Sequence, residues 1–96
     1  MRKGPIGVPT FTTISVPNTG ILVLPASPRR FFATIQNTSN VDMWIMFYSQ
    51  NAVGQGLMLP KNGFSYEIDG LGLWTGEVYA IHGGTGLKTM AVLDCL

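Results

Sequence analysis

From residue 11 onward the chain is a succession of short apolar runs, most of them alternating with polar positions and each closed by Pro, Gly, Asn or Asp. Side chains on a strand change face with a period of two, so this patterning predicts strands. The runs are Phe11 to Val16, Ile21 to Leu24, Arg30 to Gln36, Val41 to Tyr48, Gly56 to Leu59, Phe64 to Ile68, Trp74 to His82 and Leu87 to Leu93. Helix signals are nearly absent. Eight short strands with turn residues between them predict an all-β fold, a compact antiparallel β-sandwich or barrel of jelly-roll type.

Alternation is clearest in the third run, where Phe31, Ala33 and Ile35 share an apolar face and Phe32, Thr34 and Gln36 a mixed one. Three runs lack a polar face. Val41, Met43, Ile45 and Phe47 stand opposite Trp44, Met46 and Tyr48. Val78 and Ala80 stand opposite Glu77, Tyr79 and Ile81, and Met90 and Val92 share a face with Lys88 and Asp94. A strand apolar on both sides lies in the middle of a sheet or has its second face covered by another molecule. Two turn signals carry a hairpin expectation. Asn62 and Gly63 in "KNG" suit the positive φ angles of a type I′ turn, and "HGGTG" at 82 to 86 reads as a glycine-rich hairpin loop.

Composition sharpens the second-face question. Only 11% of the 96 residues are charged and 46% are hydrophobic, against a usual charged share of about 25%. So few charges poorly cover an isolated monomer, and the balance predicts an oligomer or a subunit of a larger assembly. A chain of this length makes one domain. Residues 11 to 96 are read as that domain, and residues 1 to 10, with two prolines, two glycines, Arg2 and Lys3, as a flexible N-terminal arm. The net charge of +1 gives no phosphate-tracking surface, so nucleic acid is not an expected partner. No run reaches the roughly 18 apolar residues of a membrane helix, and no membrane partner is expected. The single cysteine, Cys95, forms no internal disulfide and suits a reducing compartment.

Chemistry is sparse. His82 is the sole histidine, placed at a strand end before two glycines, and Cys95 is its one conceivable nucleophilic partner. Asp42, Glu67, Asp69, Glu77 and Asp94 show no metal-ligand spacing, and "GGTG" lacks the lysine and helix of a phosphate loop. "NTS" at Asn37 fits a glycosylation sequon but reads as a polar turn. No catalytic residue, cofactor or metal is expected, and no enzyme. Stacking of sugars on Trp44, Tyr48, Trp74 or Tyr79 is the remaining ligand chemistry; tryptophans in so small a domain are more often core, and both are also candidates for interface anchors.

The segments "RRFFATIQNTSNVDMWIMF", "GLMLPKNGFSYEI" and "LWTGEVYAIHGGTGLKTMAVLD", in that order, resemble small structural proteins of tailed bacteriophages that decorate or cement the capsid. The likeness spans about residues 20 to 94. It implies a β-sandwich or barrel bound across major capsid protein subunits, self-associated as a trimer in preference to a dimer, and located on the virion after assembly in the host cytoplasm. Tail, neck and head-fibre proteins share the pattern and form the alternative, with a glycan-binding attachment module behind them. Under this reading the interface residues are Trp44, Met46 and Tyr48 on the flat apolar face, Trp74 as a further aromatic anchor, Arg29 and Arg30 toward an acidic shell, and Arg2 and Lys3 in an arm laid over a neighbour.

Overall fold

A computed structural model describes residues 9–47, 52–69 and 74–95. Eight strands form two four-stranded sheets: β1 (Pro9–Val16), β2 (Ile21–Leu24), β3 (Phe32–Asn37), β4 (Met43–Phe47), β5 (Leu57–Leu59), β6 (Ser65–Asp69), β7 (Val78–His82) and β8 (Lys88–Cys95). The first sheet runs β1-β8-β3-β6 and the second β2-β7-β4-β5. Every pairing is antiparallel, and this interleaved order is that of a jelly roll.

The alternation read from the sequence sets which residues meet between the sheets. Val16, Ala33, Ile35, Ile68, Met90 and Val92 point inward from the first sheet. Val23, Leu24, Met43, Ile45, Leu59, Val78 and Ala80 do so from the second, and all are buried in one cluster. β1 and β8 hold register through eight consecutive pairs from Pro9↔Cys95 to Val16↔Lys88, whereas the β2–β7 ladder breaks between Leu22 and Leu24. β1 begins two residues before the predicted run and takes Pro9 and Thr10 out of the expected arm. Proline is tolerated as the first residue of an edge strand, where the ladder does not require its N–H. Met1 to Val8, and with them Arg2 and Lys3, lie outside the described residues.

Both hairpin expectations are corrected by the topology. β5 and β6 lie in different sheets, as do β7 and β8, so the "KNG" and "HGGTG" turns carry the chain over the edge of the sandwich. Asn62 and Gly63 do take positive φ, 69° and 98°. Their backbone N–H groups, however, donate to Ser39 and Asn37 carbonyls of the turn after β3. The local conformation was legible in the sequence; the strands it connects were not.

Each end of the apolar slab is closed by a buried polar group. At one end Asn37 is fully buried and saturated. Its amide donates to the Val41 and Leu59 carbonyls, and its side-chain oxygen accepts from the Ser39 N–H and hydroxyl. The predicted polar turn is thus an internal brace. His82, also buried, holds the loop that follows β7. Gly84 N–H donates to Nδ1, which therefore carries no proton, and Nε2–H donates to the Gly86 carbonyl.

At the other end Arg30 is 1% exposed. Its Nε donates to Asp94 Oδ1 at 2.7 Å and Nη2 to Asp94 Oδ2 at 3.1 Å, a two-pronged ion pair. The remaining donors reach the carbonyls of Pro25, Trp74 and Gly76. Arg30 is therefore not a contact for an acidic partner, and it does not open β3. Period-two alternation along β8 drives Asp94 inward behind Met90 and Val92, and that carboxylate requires an internal cation.

Removing one member of such a pair leaves a buried unpaired charge, which costs about 3–5 kcal/mol within a total stability of about 5–15 kcal/mol. Arg30→Ala and Asp94→Ala are each expected to lower the urea midpoint by that measure. The double variant Arg30→Met with Asp94→Leu should recover most of the loss. Single variants that unfold like the wild type would remove the pair from its structural role.

Candidate functional site

The outer face of the second sheet is built by the same alternation that fills the core. Because Met43 and Ile45 point inward from β4, Trp44 and Met46 point outward; because Val78 and Ala80 point inward from β7, Tyr79 and Ile81 point outward. Cross-strand register then sets two apolar rows. Leu22 lies opposite Tyr79, which lies opposite Met46. Ile81 lies opposite Trp44, which lies opposite Met58. Six residues on four strands thus form an apolar face with no charge within it. Leu22 is 36% and Met58 53% exposed, Trp44, Met46 and Tyr79 are half-buried, and Ile81 is buried.

Polar groups rim this face at both ends. Glu77 accepts a hydrogen bond from the Tyr79 hydroxyl at 3.0 Å. At the opposite end a shallow hollow of about 400 Å³ is bordered by Trp44, Asn40, Asp42, Lys61, Gly83 and Gly84. Asp42 Oδ1 accepts from the Lys61 backbone N–H, which fixes the hollow's acidic wall. An apolar centre inside a polar rim is the anatomy of a protein interface.

The residues expected from the sequence to act together are placed apart. Trp44 and Met46 belong to this face. Tyr48 lies outside the described residues. Trp74 sits in the segment before β7, half-buried against the core, with its ring stacked on Phe47 at 5.8 Å and its indole N–H donating to the Glu77 carbonyl. A Cβ at Gly76 would come within 2.5 Å of that ring, so Trp74 is packed down as a plug at one end of the sandwich. Arg29 is exposed on the turn before β3, away from its buried neighbour Arg30. Leu22, Met58, Tyr79 and Ile81 were not among the expected interface residues. The signal for Tyr79 and Ile81 was the run without a polar face, but strand order was needed to set them beside Trp44.

The described residues also settle the catalytic pair considered above. Both ring nitrogens of His82 are engaged within its own loop. Cys95 closes β8 at the far end from that loop, eight residues along the strand, or about 25 Å at 3.3 Å per residue.

No family model, curated protein or solved structure matches this chain.

The hydrogen bond to Glu77, partial burial and the neighbouring carboxylate charge together raise the Tyr79 hydroxyl above its ordinary 10.0. Since the folded value lies above the unfolded one, whatever stability this contact gives is complete below pH 10 and lost as pH rises through the folded value. In an alkaline titration of phenolate absorbance, with Tyr79→Phe subtracted to isolate this residue, Glu77→Gln is expected to lower the midpoint. An unmoved midpoint would remove the carboxylate as the cause.

Proposed function

We propose that this chain is a structural protein of a tailed-phage virion, a decoration or cement subunit rather than an enzyme, and that it seats the outer face of its second sheet on the major capsid protein. The observation that carries the reading is the apolar face itself. The buried core cluster does not include Leu22, Trp44, Met46 or Met58, and Leu22 and Met58 stay well exposed on this face. The resemblance of residues 20 to 94 to phage structural proteins supplies the class of partner.

The action is mechanical. A subunit bound across neighbouring shell proteins adds contact area that must be broken before the shell can open. An interface of standard size, about 1,600 Å², reaches high affinity when a few anchors are well packed. Trp44 is the central anchor, flanked by Met46 and Tyr79, with Glu77, Asp42 and Lys61 at the rim setting orientation more than strength. Of the two arginines expected to meet an acidic shell, Arg29 is the exposed one.

A second reading draws on the hollow that Trp44 borders together with Asn40, Asp42 and Lys61. Aromatic and polar groups together also suit a sugar ring, which would make the protein an attachment module.

Quantitative mass spectrometry of purified particles separates these readings. A copy number at a simple fraction of the shell protein is expected for decoration, and a handful of copies would move the protein to the tail, neck or a fibre. Absence from particles would overturn the structural reading. Trp44→Ala is expected to weaken attachment to particles roughly thirtyfold or more, corresponding to a central anchor of about 2 kcal/mol or above. If that variant keeps its particle affinity and instead loses binding on a glycan array, the attachment reading takes its place.

A further inference from the structure

The sandwich has four edge strands, β1 and β6 in the first sheet and β2 and β5 in the second. Exposed edges template pairing with other chains, and proteins blunt them with shortness, bulges or charge. Three of the four are blunted in these ways. β5 has three residues, β2 has four with a register break between Leu22 and Leu24, and β6 carries the exposed Glu67 in its middle. β1 has none of these protections. It runs eight residues, Pro-Thr-Phe-Thr-Thr-Ile-Ser-Val, without a charge. Its ladder to β8 is unbroken, and among the described residues its other edge pairs with no strand. Proline at position 9 removes one donor at the end only.

We propose that β1 is the self-association edge of this protein: it pairs antiparallel with β1 of a second copy about a two-fold axis normal to the sheet, joining two four-stranded sheets into one of eight. A two-fold of this kind keeps the outer faces of both copies on the same side, so facing residues must share parity. The axis then passes through a residue facing itself, Thr12 or Thr13 at the strand's centre. With Thr12 on the axis, Phe11 faces the second copy's Thr13, and Ile14 faces its Thr10. Aromatic, β-branched and threonine cross-strand pairs of this kind are each favourable, and no charge meets its own copy. The same operation on β6, centred on Glu67, would set that carboxylate against itself.

Two further features fit a second copy as the occupant. In one row of the first sheet's outer face, Phe11 on β1, 70% exposed, lies opposite Leu93. Thr34 and Glu67 lie two and three strands away in the same row. In the Thr12-centred register each Phe11 faces a Thr13 and lies diagonal to the other copy's Phe11 across the seam, within reach of an aromatic ring. On the inner side a groove of about 340 Å³ opens between β1 and β2, lined by Thr10, Thr12, Ile14, Val23, Leu24 and Pro25 among others. In the Thr12-centred register the second copy's Ile14 stands over Thr10 at the mouth of this groove.

This dimer differs from the trimer that the phage resemblance implies. It also does not rest on the virion reading, since β1 belongs to the first sheet and leaves the outer face of the second free.

Sedimentation equilibrium of the purified full chain tests it. Two strands and a few side chains form an interface at the small end of the range, so a dimer of about micromolar affinity is expected, at twice the chain mass of 10.4 kDa. Thr13→Lys, at an exposed edge position, should weaken self-association at least tenfold while leaving the thermal unfolding midpoint of the dilute protein unchanged, and Ser15→Lys is a second variant of the same kind. Glu67→Lys on β6 should leave the dimer intact. A chain that stays monomeric at about 100 μM, a trimer, or a dimer lost on Trp44→Glu but kept in both lysine variants would each overturn the proposal.

Discussion

The ion pair between Arg30 and Asp94 is the constraint on which the arrangement of the two sheets depends. β8 is the longest strand inside the first sheet, and its alternation brings Met90 and Val92 into the core and Asp94 with them. A lone carboxylate there would not be tolerated in its charged form. Arg30 supplies the counter-charge, and its other donors take carbonyls from Pro25 after β2 and from Trp74 and Gly76 before β7. One side chain thereby links the first sheet to two connections of the second. Backbone bonds from Phe31 to the Cys95 carbonyl and from Ser27 to the Thr75 carbonyl close the same corner.

The opposite end is closed by neutral groups, Asn37 and His82, whose hydrogen-bonding atoms meet turns and, at Leu59, the end of β5. Among the described residues, the fully buried ones between these two polar ends are aliphatic save for Met43 and Met90, with Phe47, Tyr66 and Trp74 packed against them. The division has a physical basis. Chain crossings leave backbone donors and acceptors out of the ladders, and these must be met by side chains when they lie at the ends of a thin sandwich. The ends are therefore polar and specific, and the middle is apolar and general.

With the interior complete, the apolar residues on the outside bear on function. Outward positions of the first sheet pass from Phe11 and Leu93 to Thr34 and Glu67, whereas those of the second sheet stay apolar through Leu22, Tyr79, Met46, Ile81, Trp44 and Met58. Two exposed features thus distinguish the two sheets: an uncharged edge on one and an apolar face on the other. They suit different occupants, since an edge offers backbone hydrogen bonds and a face offers area. Under the proposed reading the face meets the shell and the edge meets a second copy, and the two uses do not conflict.

The sequence by itself determined the strands and their facing. Period-two alternation placed Ala33, Ile35, Met43 and Ile45 inside and Trp44 and Met46 outside, because that pattern follows from backbone geometry within a single run. It also determined the positive φ of Asn62 and Gly63, a property of two adjacent residues. Only the tertiary structure decided what each run lies beside. The same turn chemistry serves a hairpin or a crossing between sheets, so pairing could not be read from it. The pair of Arg30 with Asp94 joins residues 64 positions apart, and a basic residue at a strand start reads as surface until its carboxylate is found inside. Trp74 was an available anchor in the sequence and a packed plug in the fold, since its place depends on Phe47 and the bare backbone of Gly76. The apolar face of six residues exists only because jelly-roll order sets β2, β7, β4 and β5 side by side. Local physics acts within a run of residues, whereas neighbourhood is set by the free energy of the whole chain.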